Sequence, residues 1–284
     1  MKIATTIAQV RKQRKQWSRE GLSVGLVPTM GYLHEGHASL VKASVAACDR
    51  TVVSVFINPI QFGPTEDLAA YPRDFDRDCA LLEALGADLV FHPEVSELYA
   101  EDFCTYVDME GLTRTLCGKS RPTHFRGVCT VVTKLFHIAD PDKAFFGQKD
   151  AQQLAVIRRM VRDLSFPVEI VGCPIVREES GLAKSSRNSY LSEKERQAAL
   201  VLSQTVRLGQ QLTAQGEHRS DVLLRAMEDQ LCTQPLARID YVQAVDGVTM
   251  EPVEQVKGGD LVAMAVYIGK TRLIDNFMVG DEVI

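Results

Sequence analysis

The sequence predicts an α/β protein: a doubly wound parallel sheet followed by a smaller α+β domain. Short β-branched apolar runs alternate with longer amphipathic ones as far as Pro174. That alternation implies crossover helices and a parallel sheet. Beyond Pro174 the rhythm changes to two helical stretches and then closely spaced strands. The composition is ordinary for a globular chain, with 284 residues, 45% hydrophobic and 24% charged, and such a length buries one large core or two.

Taken in order, the charged run Arg11-Lys12-Gln13-Arg14-Lys15 reads as a solvated helix face without a function of its own. Buried strands are predicted at 22–28, 51–58, 87–93, Lys143–Gly147 and 168–174, with helices at 36–48, 74–85, 128–138 and 151–164 between them. Ser192 and Glu195 make a capping box that opens a helix through Leu212. A helix at 220–231 follows, and strands at 238–245, 260–268 and Thr271–Met278 suggest a small antiparallel unit. The division is set at 174/175, giving domains 1–174 and 175–284. In doubly wound sheets ligands sit outside the carboxyl ends of the strands, so the loops there are the candidates for chemistry.

Charge and cysteine usage exclude several classes. A formal net charge of −5 argues against a nucleic-acid partner or an anionic membrane surface. No stretch approaches the roughly 18 apolar residues of a membrane span, and the N-terminal residues lack the apolar core of a signal peptide. The seven cysteines are scattered, odd in number and free of any Cys-x-x-Cys pair, which fits reduced thiols in a cytoplasmic protein better than disulfides or zinc.

The first long strand runs into Pro28-Thr29-Met30-Gly31-Tyr32-Leu33-His34-Glu35-Gly36-His37. His34 and His37 fall on one face of a helix start. The free N–H groups there attract phosphate and favour neutral imidazoles that donate to a polyphosphate, and Gly31 and Gly36 allow close backbone approach. Taken alone, such a histidine pair reads equally well as noise or as weak metal binding. Asn58-Pro59-Ile60-Gln61 ends the next strand, where Asn58 caps a proline turn or faces a ligand and the Gln61 amide can read a hydroxy acid. Phe62 reads either as core or as apolar wall. Gly147-Gln148-Lys149-Asp150 is a second strand-to-helix junction suited to phosphate. Asp150 and Gln153 have capping-box-like spacing. Lys184-Ser185-Ser186-Arg187 combines hydroxyls and cations in a loop that can clamp a triphosphate. Asp76 and Asp78 are possible metal helpers, or helix-start aspartates placed by the helix dipole; the metal residues stay unassigned.

Behind a buried strand, His34-Glu35-Gly36-His37 matches the His-x-Gly-His signature of the nucleotidylyltransferase superfamily. Within it the chain resembles the pantothenate synthetase family. The resemblance runs through Pro28-Thr29-Met30-Gly31, Phe56-Ile57-Asn58-Pro59-Ile60-Gln61-Phe62 and Tyr71-Pro72-Arg73. It continues in Arg121-Pro122-Thr123-His124-Phe125-Arg126-Gly127-Val128, in the segment from Phe146 to Leu154, and in Lys184-Ser185-Ser186-Arg187-Asn188. These blocks keep the family's order over nearly all of the first 190 residues; the remainder adds little.

The resemblance implies a Rossmann-like first domain that binds ATP and pantoate, and a second domain carrying a loop that covers ATP. It implies ATP-dependent condensation of pantoate with β-alanine through a pantoyl adenylate, with release of pyrophosphate and AMP. ATP contacts carry over to Met30, Gly31, Tyr32, Leu33, His34, Glu35, Gly36, His37, Gly147, Gln148, Lys149, Asp150, Val176, Lys184, Ser185, Ser186 and Arg187. The catalytic groups would be His34, His37, Lys149 and Arg187. Pantoate falls to Gln61 and Gln153, and β-alanine to Gln61. Mg2+ is expected with ATP, held largely by phosphates and waters, and a homodimer is implied. The rival readings are a nucleotidyltransferase that retains AMP in its product, a synthetase-like RNA-binding module and a non-catalytic nucleotide sensor. Lys184 and Arg187 are expected to be exposed until the loop closes over ATP.

Overall fold

The computed structural model describes residues 1–64 and 66–284. By contact the chain forms two units: Met1–Met109, Thr123–Gln148 and Val156–Pro174 make the first, and Glu110–Pro122, Lys149–Ala155 and Ile175–Ile284 the second.

In chain order the elements are β1 (Lys2–Ala4), α1 (Ile7–Arg19), β2 (Val24–Thr29), α2 (Glu35–Ala47), β3 (Arg50–Val55), α3 (Phe75–Ala84), β4 (Leu89–Phe91), the short α4 (Val95–Leu98) and α5 (Leu116–Ser120), and α6 (His124–Ala139). They continue with β5 (Lys143–Gly147), α7 (Ala151–Asp163), β6 (Glu169–Cys173), α8 (Glu193–Ala214), α9 (Ser220–Cys232), β7 (Ala237–Val245), β8 (Leu261–Ile268) and β9 (Thr271–Met278).

The first unit holds a six-stranded sheet ordered β1-β4-β3-β2-β5-β6, and every pairing in it is parallel. The central strands read as unbroken apolar runs because they are covered on both faces. From β2 the chain moves outward through β3 and β4 and later returns to β5 on the other side of β2. The reversal of strand order therefore lies between β2 and β5, which pair at Gly25↔Lys143 and Leu26↔Ala144. Such a reversal opens a crevice at the carboxyl ends of the two strands. The core that fixes these ends joins Leu40 and Val41 of α2 to Val27, Val53, Val90 and Phe145 of the sheet.

In the second unit β7, β8 and β9 form an antiparallel sheet. Leu202 and Val206 of α8 and Leu223, Met227 and Leu231 of α9 bury against Val262, Met264, Val266 and Phe277. Ser192 caps α8 in a complete capping box with Glu195.

The expected strands and long helices are present, whereas the short helices α4 and α5, the strand β1 and the start of α6 differ from the sequence expectation. The three-residue edge strand β1 lies outside that expectation, because Lys-Ile-Ala is too short for a period to show. Helix α6 begins at His124, four residues before the expected start, directly after Pro122-Thr123.

Candidate active site

The chain leaves β2 through a strained turn. Gly31 has φ +82° and Tyr32 φ +51°, both in the left-handed region that β-carbon-bearing residues seldom enter. Asp78 on α3 holds this turn: its carboxylate accepts the N–H of Tyr32 and of Leu33, each at 2.7 Å. Asp78 is 1% exposed, and burial pushes its carboxyl above the usual range, against the pull of the two N–H donors. A Cβ at position 31 would stand 3.0 Å from Val55 Cγ1 and 3.1 Å from Asp78 Oδ2, tight contacts that add to the conformational preference for glycine there.

This turn delivers His34 to the N-cap of α2. His34 Nδ1 accepts the N–H of Gly36 at 3.1 Å, and His37 Nδ1 accepts the N–H of His34 at 3.3 Å. The two rings lie 4.0 Å apart between centroids. An imidazole nitrogen that accepts carries no proton, so both rings are neutral with the hydrogen on Nε2. The histidines thus replace the Ser/Thr and Glu/Gln of an ordinary capping box. Each presents an Nε2–H donor at a helix start already disposed to anions.

Next to it, β3 ends in a tight turn at Pro59–Gln61. Gln61 is buried and held from four directions. Asn58 Nδ2 donates to its Oε1 at 3.0 Å, and its own Nε2 reaches Met30 Sδ at 3.2 Å. His124 Nδ1 contacts its carbonyl oxygen at 3.1 Å; a carbonyl only accepts, so the ring donates. Gly127 of α6 lies directly against its backbone. The first unit therefore brings the Met30–His37 segment and Gln61 together, with Gly147 and Gln148 at the end of the neighbouring strand β5.

The remaining expected residues, Lys149, Asp150, Gln153, Val176 and Lys184 to Arg187, belong to the second unit. The backbone carbonyl of Lys149 accepts Asn276 Nδ2 of β9 at 2.8 Å. The adjacent Asp275 binds both guanidinium nitrogens of Arg177 at 2.7 and 2.9 Å. Arg177 bridges to Ala183, and Lys184 N–H donates to Val176 O at 2.9 Å, which closes the base of the loop. Beyond it, Ser185 caps a 3-10 turn at Ser186–Tyr190, and Asn188 ties that turn to Glu178 at 3.0 Å and to the carbonyl of Ala183 at 3.1 Å. Consecutive residues of β9 thus anchor two segments expected to touch ATP. Lys184 and Arg187 are half-buried rather than exposed, because the segment is folded into this hairpin and turn.

Within α7 Gln152 serves the local fold. Its amide nitrogen donates to Leu112 O at 2.8 Å and Thr115 O at 2.9 Å, and its Oε1 accepts Gly118 N–H at 3.3 Å. Half-buried Gln153 stands beside it. Sequence reasoning did not find His124, Gly127, Tyr99 or the Asp275–Asn276 pair as site residues. His124 and Gly127 lie within one of the blocks of resemblance, and no local pattern marks Tyr99 or the β9 pair.

Comparison with known proteins identifies the family and the fold. The family model described as pantoate-beta-alanine ligase matches residues 2–278. The chain is 57% identical to the pantothenate synthetase of Ruminiclostridium cellulolyticum over 98% of both chains. It is 56% identical to that of Clostridium acetobutylicum over 98% of this chain and 99% of the relative. The crystal structure of pantothenate synthetase from Thermus thermophilus superposes with a TM-score of 0.93 at 47% identity, over 98% of this chain and 99% of that one. The pantoate-beta-alanine ligase from Francisella tularensis, solved with beta-gamma ATP and beta-alanine, matches over the whole of both chains with a TM-score of 0.84 at 32% identity.

Proposed function

The chain belongs to the pantoate–β-alanine ligase family, and from that premise we propose how its residues carry out the reaction. It is an ATP-dependent ligase that joins pantoate to β-alanine to give pantothenate. The pantoate carboxylate attacks the α-phosphorus of ATP and expels pyrophosphate. The β-alanine amine then attacks the carbonyl of the acyl adenylate and expels AMP. Neither step needs a protein nucleophile; alignment of the reactants and stabilisation of moving charge suffice.

The observation that carries the residue assignment is the tying of both Nδ1 atoms of His34 and His37 to backbone N–H groups. It supports the reading in which the Nε2–H of each ring donates to a phosphate oxygen. Lys149 and Arg187 add positive charge as the pyrophosphate leaves. Ser185, Ser186, Lys184 and the backbone from Gly147 to Asp150 hold the phosphates, and the backbone of Val176 meets adenine. Gln61 and Gln153 orient pantoate, and Gln61 also meets β-alanine. The loop of the second domain covers ATP and keeps water from the adenylate.

Mg2+ is part of this reading as a companion of ATP. Among the described residues no three His, Cys, Asp or Glu side chains come together to hold a metal, and the Asp78 oxygens are engaged by backbone. The proposal takes the ion as carried by phosphate oxygens and water, where it would offset charge on the departing pyrophosphate. A cytoplasmic homodimer completes the proposal; among the described residues no helix is long and apolar enough to cross a membrane. Mass spectrometry of the products from ATP, pantoate and β-alanine tests it. Pantothenate and AMP are expected in equal amounts, whereas ADP, or a product that keeps AMP, would overturn it.

A further inference from the structure

Tyr99 follows α4, remote in sequence from every residue assigned above. Its buried hydroxyl lies 2.8 Å from Asn58 Oδ1. Asn58, 1% exposed, directs its Nδ2 to the carbonyl of Gly127 at 3.1 Å and to Gln61 Oε1 at 3.0 Å. The polarity of this chain of bonds follows from what each atom can do. Gly127 offers only an acceptor, so the Asn58 amide must turn its NH2 that way; the flipped amide would set two carbonyl oxygens face to face. Asn58 Oδ1 then faces Tyr99 and can only accept, so the phenol donates. Burial pushes the phenol well above its usual range, which keeps the donated proton in place at neutral pH. The second hydrogen of the Asn58 amide goes to Gln61 Oε1, and the Gln61 NH2 is left facing Met30 Sδ, a weak acceptor.

We propose that Tyr99 is a positioning residue that acts through Asn58 to fix the polarity of the Gln61 amide, so that Gln61 meets its ligand as a hydrogen-bond donor and selects an acceptor oxygen. The inference rests on the reading that Gln61 contacts pantoate, whose carboxylate and hydroxyl oxygens supply such acceptors. It requires that a ligand with a donor group at the same place be rejected, because it would confront an NH2 that cannot turn over without breaking the bonds to Gly127 and Tyr99.

The ring of Tyr99 is held independently of its hydroxyl. It packs edge-on to Phe103 with centroids 4.9 Å apart, and the Lys134 ammonium lies 5.6 Å from its centre. Tyr99→Phe therefore removes the donor and leaves the packing. Steady-state kinetics of Tyr99→Phe, Gln61→Ala and the double variant test the relay. The pantoate KM of Tyr99→Phe should rise roughly five- to tenfold, the worth of one neutral hydrogen bond, with the ATP KM within about twofold of wild type. In the Gln61→Ala background, where the relay has nothing left to orient, adding Tyr99→Phe should change the pantoate KM little. A merely structural hydroxyl would show the same effect in both backgrounds, or would shift both KM values alike, and either result overturns the proposal. So does an unchanged pantoate KM in Tyr99→Phe while Gln61→Ala raises it; a Gln61→Ala variant with wild-type pantoate KM instead removes the underlying reading as well. Should Tyr99→Phe not fold, Asn58→Asp takes its place, since it withdraws the donor that faces Gln61 at constant size. A larger rise in pantoate KM without a change for ATP supports the relay, and a wild-type pantoate KM overturns it.

Discussion

A methyl group added at Gly127 would stand 2.5 Å from Ile60 O and from Gln61 Cα, and 2.6 Å from Gln61 N. All three are backbone atoms, so no side chain can swing aside. Ordinary contact begins at 3.4 Å, and the turn that carries Gln61 must therefore move by about 0.9 Å or α6 must yield by the same amount. Two effects oppose each other in Gly127→Ala. Alanine inside a helix gains roughly 0.5–1 kcal/mol in propensity, whereas overpacking of this kind costs about 1–3 kcal/mol. The clash wins, leaving a net loss of about 1 kcal/mol and a folded protein. Catalysis should suffer more, because a misplacement near 1 Å of a positioning group can cost on the order of 10²-fold. The expected result is a kcat/KM for pantoate reduced roughly 30- to 100-fold, with a melting temperature lower by only a few degrees and ATP binding near wild type. A folded Gly127→Ala enzyme with wild-type pantoate kinetics would refute the claim that the position of Gln61 is set by its packing on α6.

Three further perturbations follow from the same geometry. His37→Ala should lower kcat by roughly 10²–10³, the scale for one preorganised donor to a developing anion; His37→Gln should restore the stability of α2, since Gln suits that capping position, without restoring the rate, and thermal melts beside turnover separate the two. Asn276→Ala releases the Lys149 carbonyl and should raise the ATP KM roughly fivefold with little change for pantoate, as measured by steady-state kinetics. Burial raises the Asp78 pKa, so its stabilising contribution is full below the unfolded value of about 3.9 and is lost as pH rises through the folded one. The melting-temperature advantage of wild type over Asp78→Asn should accordingly widen as pH falls from about 7 to 4.5, and a constant or shrinking gap would speak against a raised pKa.

The legible part of the fold was its central strands and long helices. Strands β2, β3 and β5 announce themselves as apolar runs because both of their faces are covered, and Ser192 and Glu195 mark the start of α8 by local chemistry alone. The histidine pair was legible for a similar reason: two side chains three apart at a helix start have a fixed relation before any tertiary contact forms. The support around them was not. Asp78 reaches back 46 residues to Tyr32, Tyr99 reaches 41 to Asn58, and Asn276 reaches 127 to Lys149. No periodicity or spacing encodes such pairs. The two readings left open for Asp78 are joined by a third use of its carboxylate, the turn after β2. The last 90 residues, almost silent as motif, supply through Asp275 and Asn276 the anchors for Arg177 and Lys149.

The central claim is a free-standing adenylation of pantoate, and isotope exchange between labelled pyrophosphate and ATP tests it most directly. With pantoate and Mg2+ present and β-alanine absent, label should enter ATP at a rate that falls roughly 10²–10³-fold in His37→Ala. No label should enter when pantoate is omitted. Exchange that appears only once β-alanine is added would contradict a separate acyl-adenylate step.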